Sequence, residues 1–182
     1  MNIKSDYLFY TLIILFSLSY IFFTKNFAYY NDDFTMLEFN DKSYFYSFLK
    51  TDAWWRPLKN IFYNFFNLNF YLIAHPIIIT KIIIHASLTI IIYNFLKKIE
   101  NNSLTILLSL IFFLAQTNFS SAFAIDTAGQ LLVTFFGVIS FIYIYEFVQT
   151  KKKIDLVFSY IFVVFAFLSK EIAVTFVILN IF

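Results

Sequence analysis

Apolar stretches separated by short polar breaks run through most of the chain, and their lengths are the first constraint on what it forms. Tyr7 to Phe23 is apolar after a short start that carries Lys4. Further runs follow at Pro76 to Leu96, Leu104 to Phe123, Leu131 to Phe147 and Ile154 to Leu168, each bounded by charged or polar residues. Another opens near Ile172 and is still apolar at Phe182, well short of the roughly 20 residues a crossing helix needs. This pattern predicts an all-α, polytopic membrane protein with about six transmembrane helices. It reads as a single module over residues 1–182, cut short at its carboxyl end. The end of the first run, Tyr20-Ile21-Phe22-Phe23-Thr24-Lys25, lacks the small-residue pattern of a signal-peptidase site, so that helix is expected to be retained.

One connection is too long to be a simple turn. Between Thr24 and His75, Leu58, Ile61, Phe62, Phe65, Leu68 and Leu72 recur at helical spacing, with Asn60, Asn64 and Asn67 opposite. A helix with that division lies along a membrane interface. Phe34 to Leu49 repeats the pattern more weakly, with Tyr and Phe suited to headgroup depth. Both helices can floor a cleft at the membrane surface or only anchor the loop, and their composition favours neither.

Composition agrees with a bilayer. Of 182 residues 61% are hydrophobic and only 13% charged, more apolar surface than a soluble domain of this size can hide. The absence of cysteine removes disulfide scaffolds, thiolate zinc sites and cysteine nucleophiles. A net charge of +2 without a large basic cluster removes a nucleic-acid partner. The distribution of lysines sets orientation, because short cytoplasmic connections retain basic residues. With a cytoplasmic amino terminus, Lys4, Lys97, Lys98 and Lys151 to Lys153 lie inside, and the short outer connections carry only Lys170. The long loop from Thr24 to His75 then faces outward.

Candidate chemistry concentrates on that outer side. Asp32 and Asp33 follow the first helix, where a carboxylate stays ionised yet reaches a headgroup. One of them can take a proton from an incoming nucleophile or help hold a divalent cation, or both are solvated loop acids. Asp126 sits at the outer mouth on an otherwise uncharged connection, either joining such a constellation or capping the helix that starts near Thr127. Lys170 and Glu171 close the fifth run, where the ammonium can bind a lipid phosphate and the carboxylate steer it, unless the pair merely snorkels. Arg56, between Trp55 and Pro57, offers a guanidinium fork for a phosphate or a stacking partner for the tryptophans. His85 lies mid-span one turn after Lys81, facing a cavity or gluing two helices together. His75, beside Pro76, is a weaker ligand candidate, and no classical zinc site is expected. The chain holds no phosphate-cradling glycine loop, serine-nucleophile elbow or HExxH sequence. Asn118-Phe119-Ser120 matches the glycan-acceptor pattern, which counts only where the machinery exists.

Taken in order, Asn31-Asp32-Asp33, Trp55-Arg56-Pro57-Leu58, Lys81 to His85, Asp126 and Leu168-Ser169-Lys170-Glu171 resemble a GT-C glycosyltransferase. The likeness is to the amino-terminal membrane module of protein O-mannosyltransferase-like enzymes, including bacterial lipid-modifying members and TPR-linked O-mannosyltransferases, and it covers nearly the whole chain. Each motif alone is short; their order along the helices carries the resemblance. It implies a polyprenyl-phosphate sugar donor, a lipid, glycan or protein acceptor, and transfer with inversion on the noncytoplasmic face. Asp32 or Asp33 would be the base and Asp126 the second acid, with Arg56 and Lys170 near the lipid phosphate, Glu171 beside that lysine and His85 on the substrate side. A divalent metal is optional, with Asp32, Asp33 and Asp126 as its candidate ligands. The chain departs from the TPR-linked pattern at Gln116-Thr117-Asn118-Phe119, where those relatives carry His-Pro and Glu, and at Lys81, where they favour Asn. The alternatives are a transporter or flippase subunit, and an inactive, truncated assembly partner.

Overall fold

The computed structural model describes residues 3–26, 56–70, 73–115 and 127–181. Among these every regular element is a helix: α1 (Ile3–Phe23) with a 3-10 turn (Thr24–Asn26), α2 (Pro57–Phe70), α3 (His75–Ile99), α4 (Ser103–Leu114), α5 (Ala128–Thr150), α6 (Lys153–Ser169), a second 3-10 turn (Glu171–Ala173) and α7 (Val174–Ile181). Three stretches, Ser5–Asn26, His75–Ile99 and Ala128–Thr150, are long and apolar enough to cross a membrane, which marks the chain as a membrane protein. The run expected from Leu104 to Phe123 is described as helix only over the 12 residues of α4, and α6 has 17. Asp32, Asp33, Asp126, the segment Phe34 to Leu49, Trp54, Trp55 and Asn118 lie outside the described residues.

The helix ends follow local chemistry. Pro76 opens α3, where its missing N–H costs nothing, and Lys97 and Lys98 occupy the last turn, where cations suit the helix dipole. Asn102 caps α4 by accepting from the Thr105 amide, and its own amide donates to the Glu100 carboxylate. Between α5 and α6 the chain reverses at Lys151, which adopts a left-handed conformation (φ 56°) that glycine usually supplies. Thr150 and Asp155 compensate there: the threonine hydroxyl donates to the Asp155 carboxylate and accepts from the Lys152 amide.

The described helices divide into two compact units. In the first, α1, α3 and α4 pack around Phe9, Ile13, Tyr93 and Phe113, with the Phe9 and Tyr93 rings stacked at 4.0 Å. The end of that contact is polar. The Tyr93 hydroxyl and the Lys97 ammonium both donate to Asp6, and Tyr10 donates to Asn94. Those bonds put the start of α1 and the end of α3 at the same side of the unit, as an antiparallel pair of spans requires. Leu15, Leu18, Phe22 and Phe23 on α1 remain exposed, a surface suited to lipid.

The second unit contains α2, α5, α6 and α7. Val133, Ala166 and Ala173 form its core, and aromatic rings line the α5–α6 seam, with Tyr143 stacked on Phe162 at 5.7 Å. Below them the Ser140 hydroxyl donates to the Ser159 carbonyl and shares a bond with the Ser159 hydroxyl, 3.0 and 3.1 Å away. On α2 the asparagine stripe turns inward: Asn60, Tyr63, Asn64 and Phe66 are buried while Phe65 is 46% exposed. This orientation suits a helix in apolar surroundings, where amide groups find partners in the protein and rings meet lipid.

At Gly137 a side chain of α7 packs directly on the backbone of α5. A Cβ there would lie 2.4 Å from the Phe176 ring, so the whole ring has to move. Gly137→Ala is expected to lower stability by up to about 2 kcal/mol, overpacking of roughly 1–3 kcal/mol outweighing a helix-propensity gain of about 1. Ser140→Ala should cost only about 0.6 kcal/mol, the average for an interhelical hydrogen bond in a membrane. Thermal unfolding of the purified protein in detergent measures both, and a Gly137→Ala variant as stable as the wild type would contradict the packing.

Candidate functional site

A polar cluster belongs to the second unit, where the starts of α2 and α5 meet the end of α6. Three local features build it. Arg56 immediately precedes α2, and its carbonyl accepts from the Asn60 amide at 3.0 Å, so its backbone is fixed to the helix. Tyr63, fully buried on α2, accepts from the Ala128 amide at 3.1 Å and satisfies an orphan donor at the amino terminus of α5. Gly129 then allows close approach, since a Cβ there would lie 3.1 Å from the Ser169 carbonyl oxygen and 3.2 Å from Cδ of Lys59.

α6 stops at Ser169, and Lys170 is extended (φ −166°, ψ 146°) before the 3-10 turn that Glu171 begins. That break turns Glu171 towards Arg56. The guanidinium grips the carboxylate in a bidentate fork, Nε to Oε2 at 2.8 Å and Nη2 to Oε1 at 2.5 Å. The Arg56 side chain is 19% exposed and that of Glu171 is 45% exposed. A pair with one partner so open is worth only about 0–1 kcal/mol. Lys170 donates towards the Gln130 side chain on α5 at 3.4 Å, a long contact. Lys59, one turn beyond Arg56, reaches over the Tyr63 ring, its ammonium 5.8 Å from the centroid.

Of the residues singled out in the sequence, the fold therefore brings Arg56, Lys170 and Glu171 together, in one unit and at one end of its helices. The acid pairs with the arginine rather than simply accompanying the lysine. Lys59 and Gln130 join the cluster and were not picked out by sequence; Lys59 was reachable, since it lies one turn from Arg56 on a helix the periodicity predicts. The catalytic candidates Asp32, Asp33 and Asp126 lie outside the described residues, as do the metal ligands they would supply. Among the described residues no three His, Asp or Glu side chains come together to hold a metal ion.

His85 belongs to the first unit. It is 3% exposed, its Nε2 is 3.0 Å from the Phe113 carbonyl, and its ring stacks on Phe113 with centroids 5.0 Å apart. That carbonyl belongs to the last turn of α4, where helix acceptors lack an internal partner, so the imidazole fastens α3 to α4. Lys81, one turn earlier on the same face of α3, is fully buried. No protein-family model matches the chain, and no curated protein or solved structure is significantly similar to it.

Hydrogen bonding from Arg56 holds the Glu171 carboxyl below its ordinary value, opposed by desolvation and assisted by the charges of Arg56 and Lys170. The folded state thus binds this proton less readily than the unfolded chain. The pair's contribution to stability is complete above the ordinary carboxylate range and disappears as pH falls through the lowered value. Acidification should therefore destabilise the wild type more than Glu171→Gln, as read from unfolding midpoints across acid pH. Parallel pH profiles for the two proteins would contradict the pairing.

Proposed function

We propose that this chain is the amino-terminal membrane module of a GT-C type glycosyltransferase. It is a multi-pass protein with its amino terminus in the cytoplasm of a bacterial cell, moving a sugar from a polyprenyl-phosphate donor to a lipid, glycan or protein acceptor. The observation that carries the proposal is the pairing of Arg56, expected near the lipid phosphate, with Glu171, which lies 115 positions away and next to Lys170, at one end of one helical unit. The order of the acidic and basic motifs along the chain supports it as well.

In this mechanism Asp32 or Asp33 removes the proton from the acceptor nucleophile as that nucleophile attacks the anomeric carbon from the face opposite the phosphate. The new bond forms as the bond from the anomeric carbon to the phosphate oxygen breaks, so configuration inverts and the polyprenyl phosphate leaves with the bonding electrons. Negative charge grows on that phosphate, and fixed cations at Arg56 and Lys170 bind it more tightly in the transition state than in the ground state. Asp126 orients the base or the acceptor. A divalent metal held by Asp32, Asp33 and Asp126 would add electrostatic stabilisation.

Lys81 and His85, buried together on one face of α3, favour a second possibility, a transporter or flippase subunit with a polar path through the membrane. A membrane assay with a radiolabelled polyprenyl-phosphate sugar separates the two. Transfer by the wild type is expected, with losses of about 10²-fold or more in the Asp32→Asn or Asp33→Asn variant that removes the base and about 10²-fold in Lys170→Ala. Equal transfer by wild type and all three variants would defeat the assignment, and donor crossing the membrane without sugar transfer would establish the alternative.

A further inference from the structure

The turn between α5 and α6 carries Lys151, Lys152 and Lys153, consecutive cations that are all exposed. At each of these positions the backbone favours another residue. Lys151 is left-handed (φ 56°), where glycine is usual and a side chain is strained. Lys152 is the N-cap of α6, but an ammonium has no acceptor to offer the helix amides, and no side-chain cap forms. Lys153 opens α6, where a cation opposes the helix dipole. Local structure works against lysine three times in succession, so the reason for the charges lies outside the turn.

The surroundings supply that reason. α5 is long and apolar enough to cross a membrane, so its last turn emerges at the headgroup layer. Lys151 lays its ammonium back along that turn, 6.0 Å from the centroid of the Phe147 ring. Val148, Ile154 and Val157 beside the lysines are exposed as well. The nearby acids are less open than the cations: Asp155 is half-buried and accepts from the Thr150 hydroxyl, and Glu146 on α5 is half-buried too. A phospholipid meets both halves of such a surface, its phosphate on the ammonium groups and its acyl chains on the apolar side chains. A free phosphate would use only the cations.

We propose that the α5–α6 turn is a binding surface for anionic phospholipid, with Lys151, Lys152 and Lys153 on the headgroup and Val148, Ile154 and Val157 on the adjoining chains. Phosphatidylglycerol, whose phosphate has no cation of its own, leaves its whole charge to the lysines. In phosphatidylcholine the choline offsets it. The surface lies at the other end of α5 from the Arg56–Glu171 pair and is independent of the glycosyltransferase assignment. It also differs from the effect of basic residues on topology, which acts during insertion, whereas lipid selection persists in the folded protein.

The test reads lipid contact at this turn alone. The chain has no cysteine, so a bimane fluorophore on Gln149→Cys, an exposed site just before the lysines, is the single reporter. The full chain is reconstituted in phosphatidylcholine vesicles, and quenching by nitroxide-labelled phosphatidylglycerol is compared with quenching by nitroxide-labelled phosphatidylcholine. With all three lysines present, phosphatidylglycerol should be preferred on the order of tenfold, since each lysine at an anionic surface contributes about fivefold and Asp155 offsets part of the sum. Replacing the three together (Lys151→Gln, Lys152→Gln, Lys153→Gln) should bring the ratio to about one, and replacing all three with arginine should preserve it. Raising ionic strength from about 0.01 M to about 1 M, which shortens the screening length from about 30 to 3 Å, should also erase most of the preference. Lys151→Gly suits the left-handed backbone and covers the case in which the triple variant does not insert; it should lower the ratio several-fold while raising the thermal midpoint. Equal quenching by the two lipids with the lysines present overturns the proposal, as does undiminished selection by the triple glutamine variant or by Lys151→Gly. Loss of the preference on adding inorganic phosphate at constant ionic strength would overturn the assignment to lipid.

Discussion

A polar group surrounded by hydrocarbon has to be satisfied from within the protein, and that requirement organises most of what is specific in this chain. Many hydroxyls meet it locally. Ser19, Thr80, Thr89, Ser109, Thr134 and Ser169 each donate to the carbonyl four residues earlier, and such bonds say little about neighbouring helices. The informative ones reach across: Tyr93 to Asp6 and His85 to the Phe113 carbonyl in one unit, Ser140 to Ser159 and Tyr63 to the Ala128 amide in the other. Dispersion cannot choose among apolar faces in lipid, because lipid tails pack on leucine and phenylalanine as well as a helix does. These polar contacts and the close approaches at Gly129 and Gly137 do the choosing.

The candidate site depends on the same economy. Because α2 turns Asn60, Tyr63 and Asn64 inward, its first turn is carried against the start of α5 and the end of α6, and Arg56 arrives beside Glu171. A guanidinium and a carboxylate so placed, next to Lys59 and Lys170, form a compact charged cluster on a mostly apolar protein. The fork is geometrically good but too exposed to contribute much stability.

Hydropathy made the helices legible, and local chemistry made their ends so. The run from Pro76 to Leu96 became α3, and Pro76 and Lys97 mark its ends as helix-terminus physics predicts. The run from Leu131 to Phe147 became α5, extended by three residues at each end, Ala128 to Gln130 and Val148 to Thr150. The period of α2 was legible too, but not which way its stripes face, since an amphipathic pattern looks the same whether the polar side meets water or protein. The Arg56–Glu171 fork was out of reach, because its partners are 115 positions apart and no periodicity links them. The resemblance led to the expectation of Arg56 near a lipid phosphate and of Glu171 only beside Lys170. Only the break after Ser169, a backbone feature without a glycine or proline to announce it, brings them face to face.

The proposed glycosyltransferase requires the cationic end of the second unit that holds Arg56 to face the noncytoplasmic side. The chain contains no cysteine, so a single introduced thiol reports its own side of the membrane. The direct measurement is labelling of Ile172→Cys and Lys152→Cys by a membrane-impermeant maleimide in intact cells; both side chains are exposed, one beside the site and one at the α5–α6 turn. The account predicts that Ile172→Cys labels in intact cells and Lys152→Cys only after the membrane is opened. Labelling in the opposite order would put Arg56, Lys170 and Glu171 in the cytoplasm and contradict it.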